Sequence, residues 1–165
     1  MKRIRALLAG AAALGLAVLV YWGAARALHG TPTCQVCFRP VHPGQEYTVV
    51  LADGTEEHCC CPRCGLHFRL RRSGQVRSEL ATDYKSGERI DPASALFVEG
   101  SALMTCCAAA PMKRDEPQKA VELIWDRCLP SLVAFAARSE AQDFQRRYGG
   151  RIVTYPEALE SVRSH

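Results

Sequence analysis

The chain has 165 residues, 48% hydrophobic and 23% charged, with a formal net charge of +4. Roughly 135 residues lie beyond an apolar N-terminal run, enough for one compact domain or two very small ones. The basic residues are scattered and form no aromatic-interleaved stripe, which argues against a nucleic-acid partner.

Residues 1–28 read as a separate object. Lys2, Arg3 and Arg5 precede twenty uncharged residues, Ala6 to Ala25. At helical rise this run spans about 30 Å, the thickness of a bilayer core, and the early cations favour a cytoplasmic N-terminus. The length fits a single-pass anchor in a bacterial inner membrane with a periplasmic body. The Ala25-Arg26-Ala27 sequence also fits a signal peptide cleaved near Ala27. Either reading places the body in an oxidising space, where disulfides are the default for cysteine. The chain has nine cysteines, an odd number, so at least one stands outside any set of intrachain pairs.

The body reads as two lobes, residues 29–92 and 93–165. In the first, Thr31 to Gly44 is a proline-rich knuckle carrying Cys34 and Cys37. Glu46 to Leu51 is a strand, Asp53-Gly54 a hairpin turn, and Thr55 to Cys60 the return strand. On that strand Glu57, Cys59 and Cys61 share one face, while His58 and Cys60 share the other. Pro62 opens a helix with Cys61 at its N-cap and Cys64 in its first turn, ending near Ser73-Gly74. Val76 to Tyr84 is a third strand, followed by a turn at Lys85-Ser86-Gly87. The second lobe repeats the order. Ala95 to Val98 is a strand, residues 101–130 an insertion, Leu132 to Ala136 a strand, Glu140 to Tyr148 a helix, and Arg151 to Tyr155 a strand. A short helix opened by Pro156 ends the chain. Within the insertion, Pro117 to Arg127 reads as a helix with Cys128 at its end. The fold class expected is α+β: an N-terminal transmembrane helix, then two ββαβ lobes, the first with a treble-clef-like knuckle.

Six of the nine cysteines lie between Cys34 and His67. Two C-x-x-C pairs, Cys34/Cys37 and Cys61/Cys64, each set two sulfurs at the spacing of adjacent tetrahedral corners around a metal with bonds of ~2.3 Å. A helix N-terminus beside the second pair stabilises thiolate, the metal-binding form. Cys34, Cys37, Cys61 and Cys64 are therefore the expected main site. Cys59, Cys60 and His58 are alternate donors, with His67 a further one on the helix. Cys106, Cys107 and Cys128 form a second site or a relay, with Met104 and Met112 nearby. Adjacent cysteines are awkward disulfide partners for one another. Surplus sulfur favours Cu(I), which takes two or three soft donors, over Zn(II), which is content with four donors including nitrogen.

Several segments resemble a known family. Cys34-Gln-Val-Cys37 with its hairpin, Thr82-Asp-Tyr-Lys-Ser-Gly-Glu-Arg-Ile-Asp91, Ala95-Leu-Phe-Val-Glu-Gly-Ser101, Leu132-Val-Ala-Phe-Ala136 and Gly149-Gly150 are similar to the NosL family, copper-binding accessory proteins of nitrous oxide reductase maturation. The resemblance spans most of residues 33–160. It implies two ββαβ lobes and an extracytoplasmic Cu(I) carrier. The family's C-G-M sequence is replaced here by Cys37-Phe38-Arg39, and its lipoprotein cysteine is missing. The spacing Cys37–x22–Cys60–x3–Cys64 also resembles the TRASH metal-binding domain. The leading expectation is thus a membrane-anchored Cu(I) chaperone or sequestering protein, not an enzyme, with a metal-donating or metal-receiving protein as partner. A structural Zn(II) interaction module is the alternative. A thiol–disulfide oxidoreductase using Cys61-Pro62-Arg63-Cys64 is the third reading.

Overall fold

A computed structural model describes residues 31–103 and 128–164, together with Gly15, Arg114–Asp115 and Lys119–Ala120. The expected membrane segment, apart from helical Gly15, lies outside the described residues, as do Cys106, Cys107, Met104 and Met112. Among the described residues, no helix is long and apolar enough to cross a membrane. Thr33–His165 form one compact unit, distinct from Met1–Pro32.

The first sheet has the order β2-β1-β3-β4, all antiparallel, with β1 Tyr47–Leu51, β2 Glu56–Cys59, β3 Val76–Thr82 and β4 Arg89–Ile90. The β1–β2 turn forms where Asp53-Gly54 predicts it. Gly54 takes φ +89°, and the Asp53 carboxylate accepts the Thr55 N–H. Helix α1, Pro62–Arg71, starts at its proline with Cys61 as N-cap. The second sheet has the order β8-β5-β9, with β5 Leu96–Glu99, β8 Leu132–Phe135 and β9 Arg151–Thr154. Helix α2, Arg138–Tyr148, and helix α3, Tyr155–Arg163, complete this lobe. In each lobe the first strand lies between the next two, so the two ββαβ units match in topology.

The short strands β6, Arg114–Asp115, and β7, Lys119–Ala120, pair as a two-residue ladder. The sequence places Lys119 and Ala120 in a helix. Ladder hydrogen bonds to Arg114–Asp115 hold their backbone extended instead, since a residue cannot serve both patterns. The rest of that expected helix lies outside the described residues. Strand β4 is a further difference, because two residues are too few to give a periodic signal.

Sheet packing explains the composition of the strands. The second sheet is covered on both faces. One face packs Val98, Val133 and Phe135 under Ala141 and Phe144 of α2. The other packs Phe97, Leu132, Ala134 and Val153 into the core shared with α1 and α3. Strands buried on both sides read as continuous apolar runs, which is the pattern of Leu96-Phe97-Val98 and Leu132 to Phe135.

Several polar groups join the lobes. The Asp83 carboxylate accepts the Ser86 N–H and hydroxyl, closing its own turn, and also the Ala136 N–H just beyond β8 at 2.8 Å. The Tyr84 N–H donates to the Ala134 carbonyl, and its ring meets Phe135 and Phe144 edge-on. Glu79 on β3 accepts from Tyr47, Arg69 and Tyr155, one residue each from β1, α1 and α3.

Helix α1 lies against β1 at Gly65. A Cβ there would sit 2.1 Å from Tyr47 Cδ1, and the Tyr47 ring is held by its hydroxyl bond to Glu79. In a free helix, alanine is better than glycine by about 1 kcal/mol. We predict that Gly65→Ala instead destabilises the protein by about 1–3 kcal/mol through overpacking, read as a lowered urea midpoint. A raised midpoint would show that α1 does not rest on Tyr47.

Candidate metal centre

The knuckle is a short closed loop. An antiparallel bridge joins Thr33 to Pro40, the Cys34 N–H donates to the Arg39 carbonyl, and the Phe38 N–H donates to the Cys34 carbonyl. Closing the turn places Phe38 in the left-handed region at φ 60°, a position that usually favours glycine. The Gln35 N–H donates to the His58 carbonyl, docking the knuckle on the end of β2.

Strand β2 ends at Cys59, and the chain leaves the ladder before α1 starts at Pro62. Cys60 is the residue before the N-cap, Cys61 is the N-cap, and Cys64 is the third helical residue. The knuckle is thereby brought onto the N-terminus of α1. All seven described cysteines except Cys37 are buried, and no disulfide joins any of them to another.

Two groups of four sulfurs result, each with its atoms within 4.8 Å of one another: Cys34, Cys37, Cys60 and Cys64, and Cys60, Cys61, Cys64 and Cys128. The Cys37–Cys60 sulfurs are 3.3 Å apart, Cys64–Cys128 3.5 Å, and Cys60–Cys64 and Cys60–Cys128 3.8 Å. A tetrahedron with ~2.3 Å metal–sulfur bonds has edges of about 3.8 Å. The group containing both knuckle cysteines has Cys60 where the C-x-x-C pairing places Cys61. Strand alternation puts Cys60 and Cys61 on opposite faces, but alternation stops where the ladder stops, so both turn into the cluster. The TRASH-like spacing named Cys60 and Cys64 together.

Cys128 reaches the cluster from the chain just before β8. Its expected companions Cys106 and Cys107 lie outside the described residues. Cys59 is buried beside Cys34 and outside both groups. His58 faces the opposite side of the sheet, where its Nδ1 meets Glu46 at 2.5 Å, and Glu46 also faces Arg89. His67 lies on α1 and, like His58, belongs to neither sulfur group.

The thiols divide unevenly. Cys59, Cys60 and Cys64 donate to Cys34, which holds its thiol far below the usual range and makes it the favoured thiolate. Burial pushes Cys37 up to about 12. Cys59 is raised by its donation to Cys34 and then by burial, and Cys64 by its contacts with Cys128 and Cys34. Without an ion, Cys37 and Cys64 thus keep their protons, and metal entry must release them.

Arg63, between the second pair of cysteines, is fully buried. Its Nη1 donates to Glu99 at 3.2 Å, while Nε and Nη2 have no hydrogen-bond partner among the described residues. Glu99 also accepts from Arg151 and Ser161. Arg39 approaches Cys128 at 3.8 Å. Two guanidinium groups therefore stand at or beside the sulfurs. Sequence reading passed over Arg63 and Glu99, since nothing local pairs residues 36 positions apart.

The class defined by this fold and site is a two-lobed mixed α/β protein carrying a buried thiol centre suited to a soft metal ion. Comparison places known proteins beside it. The crystal structure of the copper chaperone NosL from Shewanella denitrificans superposes with a TM-score of 0.55, covering 77% of this chain and 89% of that one, at 18% identity. At that identity the likeness shows the fold alone. The HTH-type transcriptional repressor CutR of Bacillus subtilis is 22% identical over 129 residues, 78% of this chain. The chain spans 57% of the length of that repressor. No protein-family profile matches the sequence.

Glu99 compensates a buried cation, so its charge carries measurable stability. Burial alone would raise its carboxyl, but the bonds from Ser161 and Arg151 and the charge of Arg63 outweigh that and hold it below the ordinary 4.5. Its contribution is complete above that value and is lost as pH falls through the lower folded value. We expect Glu99→Gln to cost on the order of 3 kcal/mol at pH 7, because Arg63 is left buried without a counter-charge. The loss should shrink below pH 4 in urea melts taken across pH. An equal loss at every pH would show that shape, not charge, matters at this position.

Proposed function

We propose that this chain binds a thiophilic metal ion, Cu(I) in the first instance, and carries or sequesters it outside the cytoplasm. The observation that carries this reading is the gathering of Cys34, Cys37, Cys60 and Cys64 into one sulfur group at a helix N-terminus. A centre of sulfur donors with the nearby histidines outside it favours a soft monovalent ion. The fold it shares with a copper chaperone supports the same reading. The twenty-residue apolar run Ala6 to Ala25 after three cations supports anchoring in a bacterial inner membrane with the body in the periplasm.

A carrier must release its cargo, and the rim of the centre is suited to this. Cys37 is the half-exposed member of the first group, so a partner's ligand can enter the coordination shell there. Phe38 is 76% exposed and directly follows it, and Leu129, 39% exposed, directly follows Cys128. These apolar side chains give a metal-receiving or metal-donating protein something to press against beside the exit.

A structural Zn(II) site is the second reading, favoured by sulfur–sulfur edges close to those of a tetrahedral four-cysteine site. Anaerobic titration of the reduced full-length chain, with Cu(I) and Zn(II) in competition, separates the two. We expect Cu(I) to displace Zn(II) and to bind at least stoichiometrically. Zn(II) expelling Cu(I) would sink the copper reading.

The donor set has its own check. Cys60→Ser should weaken Cu(I) binding at least tenfold, with Cys37 no longer able to share its ion with Cys64 across the group. His58→Ala should leave affinity within about twofold. A larger effect from His58 than from Cys60 would mean that the centre is built from the strand face and not from the helix end.

A further inference from the structure

The two sulfur groups are not separate. Cys60 and Cys64 belong to both, so six cysteines form two four-cornered sites with a common edge. That edge is 3.8 Å long, matching a tetrahedron with ~2.3 Å bonds. Cys34 and Cys37 close the site on the knuckle side. Cys61 and Cys128 close it on the side toward the second lobe.

We propose that the centre is binuclear, taking two thiophilic ions bridged by the sulfurs of Cys60 and Cys64. Cys34 and Cys37 are terminal ligands of one ion, and Cys61 and Cys128 of the other. This deepens the metal-binding reading above and rests on it. Thiolate sulfur has lone pairs enough for two bonds to metal, and the shared residues are the two placed centrally among the six. With bonds of ~2.3 Å across a 3.8 Å edge, the ions stand about 2.6 Å apart. The bridging sulfurs lie between the cations and offset their repulsion.

Charge favours a second ion. One cation leaves six sulfurs, five of them buried, with either their protons or an excess of negative charge, both opposed by metal binding and by burial. A second cation relieves that excess. Six thiolates carry more charge than two monovalent ions cancel, and Arg39, 3.8 Å from Cys128, and buried Arg63 between Cys61 and Cys64 offset part of the remainder. Each ion that binds displaces protons from the sulfurs it takes, and no electron transfer is involved.

The test uses the reduced full-length chain, titrated anaerobically with Cu(I) against a coloured Cu(I) chelator and, in parallel, with Zn(II). X-ray absorption at the metal edge reports the distance between ions. Two equivalents are expected, with a metal–metal vector at about 2.6 Å. Cys128→Ser and Cys61→Ser should each lower the count to one and abolish the vector. Cys60→Ser should weaken both ions together. The double variant Cys106→Ser/Cys107→Ser should still hold two. One equivalent in the wild-type chain overturns the proposal, as does a count of two without the vector. So does a fall to one in the Cys106/Cys107 variant, which would put the second ion in the insertion. Loss of only one ion from Cys60→Ser would overturn the bridging role. Two bridged Zn(II) ions with Cu(I) rejected would leave the binuclear centre standing and remove the copper function. One tightly held Cu(I) would do the reverse.

Discussion

The N-terminus of α1 is the constraint on which the rest depends. Three elements must meet there: the knuckle, the end of β2, and the chain entering β8. Each delivers sulfur to the same place. Pro62 fixes where the helix starts, Gly65 lets it lie on the Tyr47 ring, and Glu79 ties that ring to α1 and α3. A small displacement of the helix would separate Cys64 from Cys37 and Cys128 at once. The packing around α1 therefore sets the geometry of the sulfur cluster as much as it sets stability.

The second lobe is more than a duplicate of the first. It buries α1 from the far side, supplies Cys128, and provides Glu99 to neutralise Arg63. The Asp83 carboxylate and the Tyr84 N–H clamp the lobes by bonding the backbone at and just beyond β8, close in sequence to Cys128. Asp83 and Tyr84, read from the sequence as the end of a strand before the Lys85-Ser86-Gly87 turn, lie beyond β3 and set the second lobe against the first. This coupling explains how a site whose first lobe holds most of the cysteines still needs the whole body. It also gives the buried Arg63 guanidinium its counter-charge, Glu99.

The centre combines burial with one open corner. Cys34, Cys60 and Cys64 are shielded, which excludes water and keeps sulfur from bulk oxidants, while Cys37 meets solvent. Closed structural sites gain nothing from such asymmetry, whereas exchange of an ion needs an entry point for a competing ligand. The left-handed Phe38 belongs to that corner. Its conformation is imposed by the knuckle's hydrogen bonds, and it turns an aromatic ring outward at the place where glycine would be easier.

Much of the local structure was legible in the sequence because its causes are local. Asp53-Gly54 dictated a turn, Pro62 a helix start, and β-branched runs the strands, down to the ββαβ order of each lobe. The clustering of nine cysteines raised the expectation of a thiol centre before any contact was known, and seven described cysteines include two such groups. Which sulfurs lie together was not legible. Strand alternation separates Cys60 from Cys61, and only the break of the ladder after Cys59 brings both inward. Nor does any local signal join Cys128 to Cys64 across 64 residues, or Arg63 to Glu99 across 36. Sequence by itself determined the elements and the donor chemistry, because propensity and ligand softness belong to single residues. The tertiary structure decided the grouping of the sulfurs and the counter-charge beside them, because those depend on how the two lobes close around one helix end.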